Sequence, residues 1–84
     1  MTQTTIRAAC LRPFSDTWTE PTPDEVREIL HQARLTGVQA GHLVGVKDRQ
    51  VRRWLAGDAV IPYGAWAILC DAAGHERIWI ERQE

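Results

Sequence analysis

Glycines at 37, 45 and 57 break the middle of the chain into short pieces, the longest of eleven residues, and Gly41 lies inside one of them. Glycine takes left-handed backbone conformations at low cost, so such residues end helices and allow sharp corners. Pieces this short leave room only for helices of about two turns, packed closely through positions without a Cβ. With 84 residues in all, the chain has material for one core and not two. An all-α fold of four to five short helices follows.

Helix starts are written clearly. Thr22-Pro23-Asp24-Glu25 combines a capping threonine, a proline where a missing N–H costs nothing, and acids at the positive end of the dipole. Val26, Ile29, Leu30 and Ala33 then recur at helical spacing, with Gly37 just beyond. Thr36 caps a second helix running to about Val44, with Ala40, Leu43 and Val44 expected inward and Gly45 as its stop. A third spans about Asp48 to Leu55, burying Val51, Trp54 and Leu55, and Gly57-Asp58 ends it. Ile61-Pro62 opens a fourth, with a stripe of Ala65, Ile68, Leu69 and Ala72 or Ala73 flanked by Trp66 and stopped by Gly74.

The ends read differently. Residues 1–21 are Thr-rich with Pro13 and Pro21, an arm in which Ile6, Ala8 and Cys10 alternate weakly as a strand would. Residues 76–84 form a tail whose Arg77-Ile78-Trp79-Ile80-Glu81-Arg82 alternates and suggests a short strand, or less readily a helical turn. The domain proper is expected over 22–75.

Charge needs a local rather than a global reading. The formal net charge is −1, so bulk charge names no partner. Residues 47–53, KDRQVRR, nevertheless hold four cations and one acid. A basic face on one helix of a near-neutral chain is the footprint of phosphates, or simply a solvated face. Two helices joined at a glycine corner decide between these. A DNA-reading helix-turn-helix needs a small residue where the helices cross, a glycine at the turn and apolar residues at fixed offsets. Gly41, Gly45, Val44, Val46, Val51 and Trp54 occupy those offsets.

On these residues the stretch TGVQAGHLVGVKDRQVRRWLAG resembles the Cro and phage-repressor type of helix-turn-helix domain, over about Pro23 to Gly74. The resemblance implies a small lambda-repressor-like fold whose third helix enters the major groove of double-stranded DNA. It makes Asp48, Arg49, Gln50 and Arg53 the base readers. Arg49 and Arg53 suit guanine O6 and N7, Gln50 suits adenine or a phosphate, and Asp48 suits cytosine N4 or else caps the helix. Lys47 and Arg52 suit phosphates. Relatives commonly carry a polar phosphate contact where this chain has Gly37, which leaves backbone N–H groups there, with Gln39 as a substitute. More narrowly, VRRWLAGDAVIPYGAWAILCDAAG is similar to the KorC-type repressors of plasmids.

One such helix reads few base pairs, so a homodimer on a pseudo-palindromic operator is expected, occluding a promoter. Ile78, Trp79 and Ile80 are the candidate dimerisation residues, with Ile6 and Leu11 from the arm. Trp54 and Trp66 read as core; Trp18 and Trp79 as interface anchors or arm packing. Cys10 and Cys70, without a CxxC, read as reduced thiols, and His31, His42 and His75 as surface or satisfied residues. No catalytic or metal-ligating constellation stands out, so neither an enzyme nor a cofactor is expected. No apolar run approaches a membrane span and no secretion signal is visible, which places the chain in the cytoplasm. An antitoxin that binds both DNA and a protein toxin is the alternative, and a protein-interaction module that has lost DNA a further one.

Overall fold

Two threonines set the register of the first half of the molecule. In the computed structural model, which describes residues 6–75 and 77–80, helix α1 spans Pro23–Ala33 and helix α2 spans Gly37–Val44. Glu25 N donates to Thr22 Oγ1 at 3.2 Å, and Thr22 N donates to Glu25 Oε1 at 2.7 Å. Thr36 and Gln39 repeat the arrangement at 3.1 and 2.9 Å. Each reciprocal cap satisfies two first-turn donors, and losing the threonine costs about 1 kcal/mol. α1 does not stop at Gly37. It stops at Arg34, which takes the left-handed conformation with φ 57°. Leu35 N then bonds Leu30 O, and the half-buried Leu35 side chain packs against the core to hold that turn in place.

Helix α3 spans Asp48–Ala56 and helix α4 spans Tyr63–Ala72. Gly57, at φ 82°, closes α3, with Asp58 N bonding Arg53 O. The four helices enclose one core: Val26, Ile29 and Leu30 of α1, Ala40 of α2, Val51 and Trp54 of α3, and Trp66, Ala67, Leu69 and Cys70 of α4. Two expected inward positions are corrected. Leu43 is 48% exposed and Ile68 is 41% exposed. On α4 the indole of Trp66 is turned fully inward, where its Nε1 donates to the Cys10 carbonyl at 2.8 Å. Anchoring that ring rotates the helix and carries Ile68 to the outside.

The arm belongs to this core rather than standing off it. Ala8–Cys10 forms a single 3₁₀ turn, not the strand its alternation suggested. Cys10 is completely buried, and its carbonyl accepts from Trp18 Nε1 (3.0 Å) as well as Trp66 Nε1. Tyr63 OH donates to Arg12 O at 3.1 Å, and the rings of Phe14, Trp18 and Tyr63 meet at centroid separations of 5.1–5.8 Å. The tail is also no strand within the described residues. Ile80 N bonds Arg77 O in a turn that buries Ile78, and residues 81–84 lie outside the described part. Burial pushes the free thiols up, Cys10 to about 11 and Cys70 to about 12, so both stay protonated at neutral pH.

A buried carboxylate fastens the arm to α1. Glu25 Oε2 accepts from Arg7 N at 2.9 Å, Arg7 Nε at 3.0 Å and Cys10 Sγ at 3.4 Å. Its Oε1 accepts from Arg7 Nη2 at 2.8 Å and from Thr22 N. Burial by itself would raise this carboxyl, but the side chain and backbone of Arg7, with the Thr22 N–H, outweigh it and hold the group at about 2. The folded value is depressed, so the stabilisation is complete above the ordinary value near 4.5 and drains away as pH falls toward about 2. Urea unfolding at neutral and acid pH checks this. Glu25→Gln should cost about 1–3 kcal/mol at neutral pH and lose less than the wild type between the two conditions. Parallel losses in both proteins would show that Glu25 does not carry the acid sensitivity.

Candidate nucleic-acid interface

The geometry of this surface begins at Gly41. A Cβ placed there would lie 2.6 Å from the Val46 carbonyl oxygen and 3.4 Å from Asp48 N, so α2 meets the backbone of the turn and the first residue of α3 at contact distance. Gly45, at φ 83°, makes the corner, and both Gly45 N and Val46 N bond the Gly41 carbonyl, at 2.8 and 2.9 Å. Val51 and Trp54 anchor the inner side of α3 in the core, and Arg27 Nη2 reaches the Leu55 carbonyl at 3.4 Å. A helix fixed on that side presents the other.

The outer side carries the basic residues. Arg49, Arg52 and Arg53 are exposed, and Asp48 and Gln50 are half-buried. Arg49, Arg52, Arg53, Ala56 and Asp58 line a shallow depression of about 340 Å³. Arg52 Nη2 stands 3.8 Å from Asp48 Oδ2, a loose pair one helical turn apart and worth little in solvent. Among the described residues, Arg49 and Arg53 enter no ion pair. Asp48 does not cap the helix, the alternative role its type suits. Lys47 occupies the cap position and supplies no side-chain acceptor, so no side chain caps the first-turn N–H groups of α3. Asp48 is instead the first helical residue of α3.

At the start of α2, Gly37 is the first helical residue, and a Cβ there would meet only Val51 Cγ1, at 3.8 Å. Gln39 spends its Oε1 on the Thr36 N–H, which leaves its amide NH₂ as the outward donor. Val38, 52% exposed beside it, was not singled out by pattern. The three residues expected to pair subunits are split: Ile78 is spent in the core of its own chain, while Trp79 and Ile80 are exposed. Ile6 and Leu11 pack half-buried against the core. The Arg7–Glu25 anchor has no signal in the sequence beyond the cap role of Glu25, because nothing local couples residue 7 to residue 25.

Among the described residues, no group of three His, Cys, Asp or Glu side chains is placed to hold a metal ion, and no helix is long and apolar enough to cross a membrane. No family model matches the chain. It is similar to the transcriptional repressor protein KorC of Escherichia coli, 52% identical over 82 residues that span 94% of this chain and 95% of that protein. A second Escherichia coli protein of the same name is 48% identical over 79 residues, 90% of this chain and 92% of the relative.

Proposed function

This chain belongs to the family of the KorC transcriptional repressors, and from that premise we propose that it represses transcription by binding an operator in double-stranded DNA as a homodimer and occluding the promoter. The observation that carries the reading is the backbone contact at Gly41, which holds α3 with its arginine side outward. A lambda-repressor-like helix-turn-helix accounts for that arrangement. Residues 22–75 carry the DNA-reading unit, with residues 6–21 of the arm packed against it.

α3 enters the major groove with its N-terminal end toward base edges. Arg49 and Arg53 each present a planar fork that matches guanine O6 and N7, and Gln50 matches adenine. Asp48 accepts from cytosine N4 at the head of the helix. Lys47 and Arg52 take phosphates, and so do the backbone N–H groups at Gly37 together with the Gln39 amide.

Selection of binding sites from random duplexes, at a stated salt concentration, tests the reading. The expected product is a pseudo-palindrome whose half-sites lie about 34 Å apart, one helical turn of DNA. Affinity should fall steeply with salt, and Lys47→Ala should reduce the slope of log K against log salt by about 1 per bound protomer while leaving the selected sequence unchanged. Failure to enrich any sequence would reject the proposal.

A further inference from the structure

A cation from another helix grips the flank of α3. Arg27 lies on α1; its Nη2 donates to the Leu55 carbonyl at 3.4 Å, a long bond, and its Nη1 donates to Asp24 Oδ1 at 3.1 Å. That carbonyl belongs to the last turn of α3, where oxygens lack an intrahelical donor. The carbonyls of Arg53 and Trp54 beside it accept from the N–H groups of Gly57 and Asp58, and Arg27 serves the next one along. A guanidinium has five N–H donors. Two are spent here, so three are left among the described residues, on a side chain that is 62% exposed.

Arg27 sits on the same flank as Arg52. At 3.6 residues per turn, Leu55 and Arg52 are neighbours on the surface of α3, while Arg49 and Arg53 lie farther round. The order across the exposed side is therefore Arg53, Arg49, Arg52, and then Arg27 beyond the edge of the helix. Cations elsewhere are placed differently. Arg7 is held by Glu25, Arg34 closes the far end of α1, and Arg12 and Arg77 line a recess that includes no residue of α3.

We propose that Arg27 holds a DNA phosphate next to the one taken by Arg52, so that α1 is part of the interface and its guanidinium ties the C-terminal end of α3 to the wall of the groove. This role rests on the DNA-reading function and adds to it a contact from outside the helix-turn-helix. Base readers reach the floor of a groove, and its walls are phosphate. A cation beyond the edge of the reading helix therefore meets the wall. The Asp24 pair is readily given up: both side chains are mostly exposed, such a pair is worth little in water, and a phosphate offers the guanidinium two charged oxygens at once. Because Arg27 touches no base, it adds affinity to every sequence alike. Because it holds α3 by a main-chain oxygen, that grip does not depend on which side chains α3 carries.

Fluorescence anisotropy of the full chain at several salt concentrations tests this, on the duplex selected by the wild type and on an unrelated duplex of equal length. Arg27→Ala should weaken binding to both by about 10-fold per protomer, the loss of one charge-assisted contact. It should also lower the slope of log K against log salt by about 1 per protomer. Arg27→Lys should restore the slope, since the charge returns, but not the whole affinity, since the planar fork does not. Arg77→Ala removes an equal charge from the recess away from α3 and should keep the wild-type slope. The urea midpoint and the selected sequence should be unchanged in Arg27→Ala. A wild-type slope in Arg27→Ala overturns the proposal whatever its affinity, because the residue then only braces α3. So does an equal loss of slope in Arg77→Ala, or a slope in Arg27→Lys no steeper than in Arg27→Ala. Failure of the DNA reading looks different: the wild type then binds neither duplex. When this role alone fails, Arg52→Ala still lowers the slope and Arg27→Ala does not.

Discussion

Gly41→Ala is expected to destabilise the chain by about 2 kcal/mol, against the trend of helix propensity. In an exposed helix interior the same change stabilises by about 1 kcal/mol. Here the added methyl would sit 2.6 Å from the Val46 carbonyl oxygen, a backbone atom that no rotamer change can move. Overpacking of this kind costs about 1–3 kcal/mol, occasionally more, and it outweighs the propensity gain because relief requires α2 and α3 to separate. Gly37→Ala is the control. Its nearest neighbour would be Val51 Cγ1 at 3.8 Å, so it should be neutral or slightly stabilising. Urea unfolding of the two variants beside the wild type makes the comparison. Equal stability of Gly41→Ala and the wild type would mean that the helices do not cross where the structure puts them.

The second large effect concerns DNA. Arg49→Ala and Arg53→Ala should each cost about 1–3 kcal/mol per half-site and relax base preference at one position, since a bidentate contact discriminates by that much. Arg52→Ala should weaken all sequences alike and lower the salt slope. The two arginines proposed to read bases lie one helical turn apart, so their losses need not add, and the double variant measures the coupling. All three side chains are exposed, so thermal unfolding should scarcely change. Uniform losses for Arg49→Ala across selected and unrelated duplexes would reassign it to the backbone.

What could be read from sequence was what local chemistry decides. Thr22 with Glu25, Gly45 and Gly57 as stops, and the outward arginines of α3 depend on neighbours within a turn or on a glycine's missing Cβ, and all are where the pattern put them. The errors share a different cause. Periodicity finds the apolar positions of α4 but does not show which side of that helix the rest of the chain occupies. The acceptor for Trp66 lies 56 residues away, and it rotates Ile68 outward. Leu43 was assigned inward from spacing alone, although α2 is short and buries little beyond Ala40 and Gly41. Arg34 ends α1 without a glycine because Leu35 makes a tertiary contact. The base readers expected on α3 rest on the resemblance to the Cro and phage-repressor type rather than on spacing.

The carbonyl of Cys10 ties together segments that lie far apart along the chain. Its two indole donors are Trp18 and Trp66, and the same core is sealed by Ile78. The turn at Ala8–Cys10 therefore finds its full set of partners only once α4 is in place. A chain cut before α4 keeps the arginine helix but lacks the packing that aims it, and such a fragment should be readily proteolysed.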